Sequence, residues 1–350
     1  MPDRTHSANE AETVSAMSER RATLVDVAQR AGVSRGTASK ALNGAGQLRA
    51  STRQRVIAAA EELGFEASPA ARSLLSGRSY TVGLLTSDSL GRFSIPVLLG
   101  AEDLLATGEM AILLCDARAD RIREQHYIRT LLARQVDGFI VTGHRSDARP
   151  SLTASLPVPV VYAYTPSDNP NDLSVVPDDL QGGVLAGHHL TSIGRRRIAY
   201  VGGPQRYHAS HLRLQGMTTA LEQAGIQPHG EPLFGEWRES WGRQAAQILL
   251  KSVPDLDAVF CASDHLARGV CDVLREAGVS IPDDVAVVGF DNYSEMVMAA
   301  RPPLTTIDMN LRKVGEIAAG HLLDAIAGRP RSGLETVPCE LVIRESTVKD

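Results

Sequence analysis

The chain has 350 residues, 43% hydrophobic and 22% charged, a size and composition that suit two or three soluble globular domains and exclude a fibrous or membrane-embedded protein. No segment reaches the roughly 18 unbroken apolar residues of a membrane span. The first twenty residues are polar and lack a signal-peptide core, so a cytoplasmic protein is expected. The net charge of −5 is unevenly spread: residues 21–78 carry nine basic against four acidic side chains, and residues 79–350 carry 25 against 33. A small basic head on a larger acidic body is the charge pattern of a phosphate-seeking module joined to one that does not bind phosphate. The cysteines Cys115, Cys261, Cys271 and Cys339 form no Cys-x-x-Cys pair, which points to buried reduced thiols rather than a zinc site or disulfide framework.

Taken in chain order, residues 1–20 read as an extension without order. Thr23, with Asp26 three residues later, reads as an N-cap with a short-armed capping box, and Leu24, Val27, Ala28 and Ala31 follow at helical spacing. Gly32 suits the left-handed end of that helix, Val33 plugs the corner, and Ser34 caps a second helix running to Asn43. A third amphipathic helix, about Ala50 to Leu63, presents Val56, Ile57, Ala60 and Leu63 and ends at Gly64. Ser68-Pro69-Ala70-Ala71-Arg72-Ser73-Leu74 starts as a capped helix, but one too short to persist without support.

These residues carry a resemblance. Thr23-Leu-Val-Asp-Val-Ala-Gln-Arg-Ala-Gly-Val-Ser34, Thr37-Ala-Ser-Lys-Ala-Leu-Asn43, Thr52-Arg53 and Glu62-Leu-Gly-Phe65 closely match the DNA-binding head of the lactose-repressor (LacI/GalR) family. The resemblance implies a helix-turn-helix whose second helix enters the major groove, with Arg35, Gly36 and Lys40 at the base-reading positions. Arg35 suits a guanine edge or a phosphate, whereas Gly36 has no side chain to read with. The family usually has arginine where Lys40 stands, and lysine lacks its planar fork. Thr37, Ser39 and Asn43 would contact phosphate, which positions without specifying, and Thr23 and Ser34 would be further DNA-binding residues. Residues 68–78 would be a hinge helix and linker, with Ala71 and Arg72 against the backbone and Leu74 wedged in the minor groove.

Beyond residue 79, β-rich runs alternate with helical stretches: Thr81–Leu85, Ala111–Leu114, Gly138–Val141, Val158–Tyr162, Ile198–Val201, Ala258–Phe260 and Val285–Gly289. This alternation predicts parallel sheets flanked by helices, with ligands bound beyond the strands' carboxyl ends. The resemblance continues through Gly202-Gly-Pro204, Arg213-Leu-Gln-Gly216, Ser263-Asp264, Val288-Gly-Phe-Asp291, Pro303-Leu-Thr-Thr-Ile307 and Leu341-Val-Ile-Arg-Glu-Ser-Thr347. It implies an all-α helix-turn-helix head (21–67) and an α/β effector-binding and dimerisation domain (79–350) of two lobes, like periplasmic binding proteins, joined by three crossing strands. The cleft residues would be Phe93, Tyr164, Tyr207, Arg213, Trp237, Ser263, Asp264 and Asp291. Trp237 suits stacking on a sugar or base, and Arg213 and Asp291 suit hydroxyls approached from opposite sides. Phe93 and Trp237 read equally as core aromatics, and Asp291 as a helix cap. Arg92 and Ser94 replace the family's common proline and second aromatic, and Ser263 replaces a frequent asparagine. Arg92 either selects an acidic ligand or is merely solvated.

The expectation is therefore a transcription regulator, foremost a repressor, that binds palindromic operator DNA as a homodimer under control of a sugar-like effector. No enzyme activity, cofactor, metal or membrane partner is expected. Gly32-Val-Ser34-Arg-Gly36 spells a hydrolase elbow, but it follows a helix instead of a strand. His208 with His211, and His188 with His189, lack the carboxylate of a zinc-protease motif. The alternatives are a solute-binding protein without operator binding, or an activator built from the same parts.

Overall fold

The computed structural model describes residues 22–42, 46–65 and 77–348. The chain divides into two compact units between Arg78 and Ser79.

The described residues of the first unit form helices α1 (Leu24–Arg30), α2 (Arg35–Leu42) and α3 (Ala50–Glu62). Thr23 caps α1: its hydroxyl accepts from the Asp26 N–H, and the Asp26 carboxylate accepts from the Thr23 N–H at 2.8 Å, closing the capping box. Gly32 ends the helix at φ +62°, and the Val33 N–H returns to the Ala28 carbonyl at 2.9 Å, the bond that seals a left-handed helix end. Gly64 and Phe65 repeat this device after α3. Val27, Ala28, Ala31, Ala38, Ala41, Val56, Ala59 and Ala60 fill the core. Ile57 corrects the sequence expectation: it lies 40% exposed, about 100° round the helix from Val56, and Ala59 takes its place inside.

The second unit contains two six-stranded sheets. The first lobe is built on β1 (Thr81–Thr86), β2 (Ala111–Asp116), β3 (Gly138–Val141), β4 (Val160–Ala163), β5 (Leu173–Pro177) and β11 (Gly333–Val337). Their order is β11-β5-β4-β3-β1-β2, parallel throughout. Helices α4 (Ser94–Leu105), α5 (Arg121–Ala133) and α11 (Leu311–Ile326) cover it. The second lobe orders β6 (Ile198–Gly202), β7 (Leu233–Phe234), β8 (Ala258–Cys261), β9 (Ala286–Asp291), β10 (Thr305–Asp308) and β12 (Glu340–Val342) as β12-β10-β9-β8-β6-β7, with only β12 antiparallel. Its helices are α6 (Asp179–Ser192), α7 (His208–Gln223), α8 (Glu239–Ser252), α9 (Asp264–Glu276) and α10 (Ser294–Ala299). The chain passes between the lobes three times, from β5 into α6, from β10 into α11 and from β11 into β12.

One apolar core runs through both lobes, from Val82, Leu84 and Ile140 to Tyr200, Phe260 and Phe290. Three helix pairs cross with their backbones almost touching, each through reciprocal glycines: Gly100 and Gly315 in α4 and α11, Gly183 and Gly216 in α6 and α7, Gly242 and Gly269 in α8 and α9. A Cβ at any of the six would run into a carbonyl of the facing helix.

Candidate nucleic-acid interface and ligand cleft

In the first unit, α2 turns Ala38 and Ala41 inward and leaves Arg35, Gly36 and Lys40 exposed. That places the three expected base-reading positions on one solvent-facing surface. Ser34 caps α2: its oxygen accepts from the Thr37 N–H at 3.1 Å, and the two hydroxyls lie 2.9 Å apart. The Thr23 hydroxyl donates to Asp26 at 2.6 Å, so Thr23 and Ser34 also serve as caps. Asn43, Ala71, Arg72 and Leu74 lie outside the described residues, as do the hinge helix at 68–74 and the extension at 1–20.

In the second unit, the residues that follow the strands of the two sheets meet. Arg213, in the second turn of α7, is 3% exposed. Its guanidinium donates to Asp179 at 2.8 Å and to the Ala262 carbonyl at 2.6 Å, and it lies 3.6 Å over the Phe290 ring. Asp291 ends β9, with its carboxylate 3.6 Å from Arg213 and paired also with Arg92 of the other lobe. Arg213 and Asp291 are thus adjacent members of one charge network, which corrects the expectation that they flank a ligand from opposite sides. Burial works against the charge on Arg213, but Asp179 and Asp291 outweigh it and hold the guanidinium above its ordinary pKa.

Phe93, just before α4, stacks on Tyr164 with ring centroids 4.5 Å apart. Asp88 fixes that turn, accepting from the Phe93 and Ser94 N–H groups at 2.7 and 2.9 Å. Tyr164 is buried at φ +67° directly after β4, and Asp291 stands at φ +111° as the last residue of β9. Two side chains larger than glycine in this region mark strained backbone at facing strand ends. Trp237 is half-buried against Gly203, 5.9 Å from the Arg213 guanidinium. Tyr207 belongs to a different group, where Arg145 of the first lobe donates to its hydroxyl at 3.2 Å and Arg206 at 3.3 Å.

Ser263 and Asp264 are 1% and 0% exposed. Ser263 caps α9, accepting from the Leu266 N–H at 3.4 Å. Asp264 accepts from the Thr306 hydroxyl at 2.6 Å and the Tyr293 N–H at 2.8 Å, tying α9 to β10 and to the turn after β9. Burial, reinforced by the nearby charge of Asp291, pushes the Asp264 carboxyl up to about 8, against the pull of Thr306 and the Tyr293 N–H. Burial also raises the Asp291 carboxyl, against the pull of Arg92 and Arg213. The folded pKa of Asp264 lies above the ordinary carboxylate value, so the folded protein binds the extra proton, and stability from this group falls as pH rises from about 4 towards 8. Asp264→Asn is expected to remove that slope, at most ~1.4 kcal/mol per pH unit. Urea unfolding of both proteins at pH 5, 6, 7 and 8 checks it; parallel pH profiles would contradict the assignment.

Asp179 escaped the sequence reading because Leu173–Pro177 was not recognised as a strand, although Asp178-Asp179 after an apolar run is a strand-end signal. Arg145 and Asp147 carried no motif, and Thr306 stood inside Pro303–Ile307 without being singled out. Among the described residues no cluster of three or more His, Cys, Asp or Glu could hold a metal, and no helix is long and apolar enough to cross a membrane.

Fold and cleft together define a helix-turn-helix regulator joined to a ligand-binding domain of two α/β lobes. Residues 23–68 match the family of bacterial regulatory proteins called lacI, and residues 188–347 match the periplasmic binding protein-like domain. The HTH-type transcriptional regulator CelR of Thermobifida fusca is 36% identical over 338 residues, covering 93% of this chain and 98% of that protein. A solved CelR–cellobiose complex is 32% identical with a TM-score of 0.66, covering 93% of this chain and all of that one. The Lac repressor dimer bound to operator and the anti-inducer ONPF is 27% identical with a TM-score of 0.73, covering 94% and 100%. The chain belongs to the LacI family of bacterial regulatory proteins. It is a DNA-binding transcription regulator, not an enzyme.

Proposed function

We propose that this protein is a dimeric cytoplasmic repressor that grips a palindromic operator through residues 21–67, with residues 68–78 as hinge. Its hold on the operator is set by a small polar ligand in the cleft of residues 79–350, most plainly a sugar or sugar derivative. The observation that carries this reading is the coexistence, in one chain, of an exposed α2 surface bearing Arg35 and Lys40 and a two-lobed domain whose strand ends gather Arg213, Asp291, Phe93, Tyr164 and Trp237. The cellobiose bound by CelR supports a sugar, and the operator-bound Lac repressor dimer supports two-fold DNA recognition. Phe93 and Trp237 offer aromatic faces, and Arg213 and Asp291 offer donors and acceptors, the combination that recognises a polyol. Ser263 and Asp264 shape the cleft from behind rather than touch the ligand.

Sequencing of source-genome fragments retained by the full-length protein, with and without a panel of sugars and nucleosides, tests the reading. Enrichment of one palindrome that a panel member abolishes or promotes is expected; absence of any enriched site under every condition refutes operator binding. On the enriched site, Arg35→Ala is expected to cost about 1–3 kcal/mol and relax specificity at one base pair per half-site, whereas a phosphate contact weakens all sequences alike. Titration of wild type and variant against single-base operator variants separates the two.

A further inference from the structure

The Arg92 side chain spans the cleft. It belongs to the turn before α4 in the first lobe, yet its guanidinium pairs with Asp291 at the end of β9 in the second. The side chains are 15% and 4% exposed, so this is a largely desolvated ion pair rather than a solvated surface contact. Arg92 also lies 4.6 Å over Phe93 and 5.8 Å from the Tyr293 ring, which steer the guanidinium towards Asp291. Its Nε is buried with no hydrogen-bond partner, so the side chain is held by the cross-lobe pair and by stacking, not by a full set of local bonds.

We propose that Arg92 is a positioning residue that acts as a cross-cleft clasp, standing against Asp291 where an effector would bind and holding this side of the cleft closed while no ligand is bound. The second part of that statement rests on the effector reading given above; the clasp itself does not. Asp291 retains Arg213 at 3.6 Å when Arg92 withdraws, so the acceptor is still held in place for an incoming hydroxyl. The other side of the cleft has its own cross-lobe contacts, Arg145 to Tyr207 and the His208 N–H to Asp147 at 3.0 Å, which do not depend on Arg92. Releasing the clasp therefore opens one side only. An effector must take Asp291 from Arg92, which makes the clasp a threshold for ligand entry.

Hydrogen exchange of the full-length, ligand-free protein tests the clasp without knowledge of the effector. Arg92→Gln is expected to speed exchange several-fold in peptides covering residues 87–96 and 288–296, while peptides covering 142–150 and 203–212 keep wild-type rates. Arg92→Lys, which keeps the charge, is expected to restore most of the protection. Unchanged exchange near Arg92 and Asp291 in Arg92→Gln overturns the clasp. Equal acceleration on both sides of the cleft, or in Arg92→Lys to the same degree as in Arg92→Gln, also overturns it, because that is loosening without a role for the pair. Failure of operator or sugar binding elsewhere leaves this result intact, so the two readings fall separately.

Discussion

Arg213→Ala is expected to destabilise residues 79–350 by about 3–5 kcal/mol, the cost of removing one partner from a buried ion pair. For a unit of this size that lowers the thermal midpoint on the order of 10 °C. The reason is what the substitution leaves behind. Asp179 and Asp291 both face the guanidinium, the Ala262 carbonyl loses a charged donor, and the Phe290 ring loses the group packed 3.6 Å above it. Two carboxylates would then share a dry pocket without the cation between them. The deficit should therefore shrink at acidic pH, where a carboxylate left without its cation takes up a proton. Pairing the change with its counterpart separates charge from packing: Arg213→Met with Asp179→Asn is expected to recover a large part of the loss, because Asp291 still has Arg92. Differential scanning of the three proteins at pH 5 and pH 8 reads this directly. A deficit that is the same at both pH values and is not relieved in the double variant would show that Arg213 serves as packing volume alone.

The head was legible in the sequence almost residue by residue, because its signals are local. The capping box at Thr23 and Asp26, the left-handed Gly32 and Gly64, and the cap at Ser34 act within a few residues, and the structure realises each one. Only the tilt of α3, which puts Ile57 outside and Ala59 inside, depended on packing against the other two helices. In the larger unit the buried central strands β1, β3, β6, β8 and β9 were visible as apolar runs. The strands β7 and β11 are very short or alternate, and carry too little apolar sequence to be seen. The cleft was half legible for a related reason. Arg213, Asp291, Phe93 and Tyr164 stand in or next to recognisable motifs, but Asp179 and Arg92 take their roles from partners 34 and 199 residues away. No short-range pattern encodes such a pairing. The same distance explains why Arg213 and Asp291 were expected on opposite sides of a ligand: sequence gives the strand end each one follows, not the direction its side chain takes.

Gly216→Ala is the second change expected to have a large effect, although it adds only a methyl group. Gly216 packs α7 against α6 so closely that a Cβ would collide with the Leu180 carbonyl and the backbone of Gly183 and Val184. Gly183 faces the Arg213 carbonyl in the same way from α6. Backbone carbonyls inside helices cannot rotate away as a side chain would, so the helices themselves must separate. Overpacking of this kind costs typically ~1–3 kcal/mol, and more when two rigid elements have to move. The loss should exceed that of the same substitution at Gly320 in α11, where an added Cβ meets only the end of the Leu104 side chain at 3.4 Å. The functional consequence is specific to this crossing. Asp179 opens α6 and Arg213 lies on α7, so widening the gap between the helices lengthens the Asp179–Arg213 pair, now 2.7 Å, and with it the placement of Arg213 beside Asp291. The expected result is a protein that remains folded at low temperature and binds operator through an intact head, but melts earlier and responds weakly to whatever ligand controls the wild type. Gly320→Ala should show neither defect. Thermal melts of the two variants, with operator release titrated against the controlling ligand, distinguish this from a general loss of stability: equal melting points for Gly216→Ala and Gly320→Ala would remove the crossing from the account of the cleft.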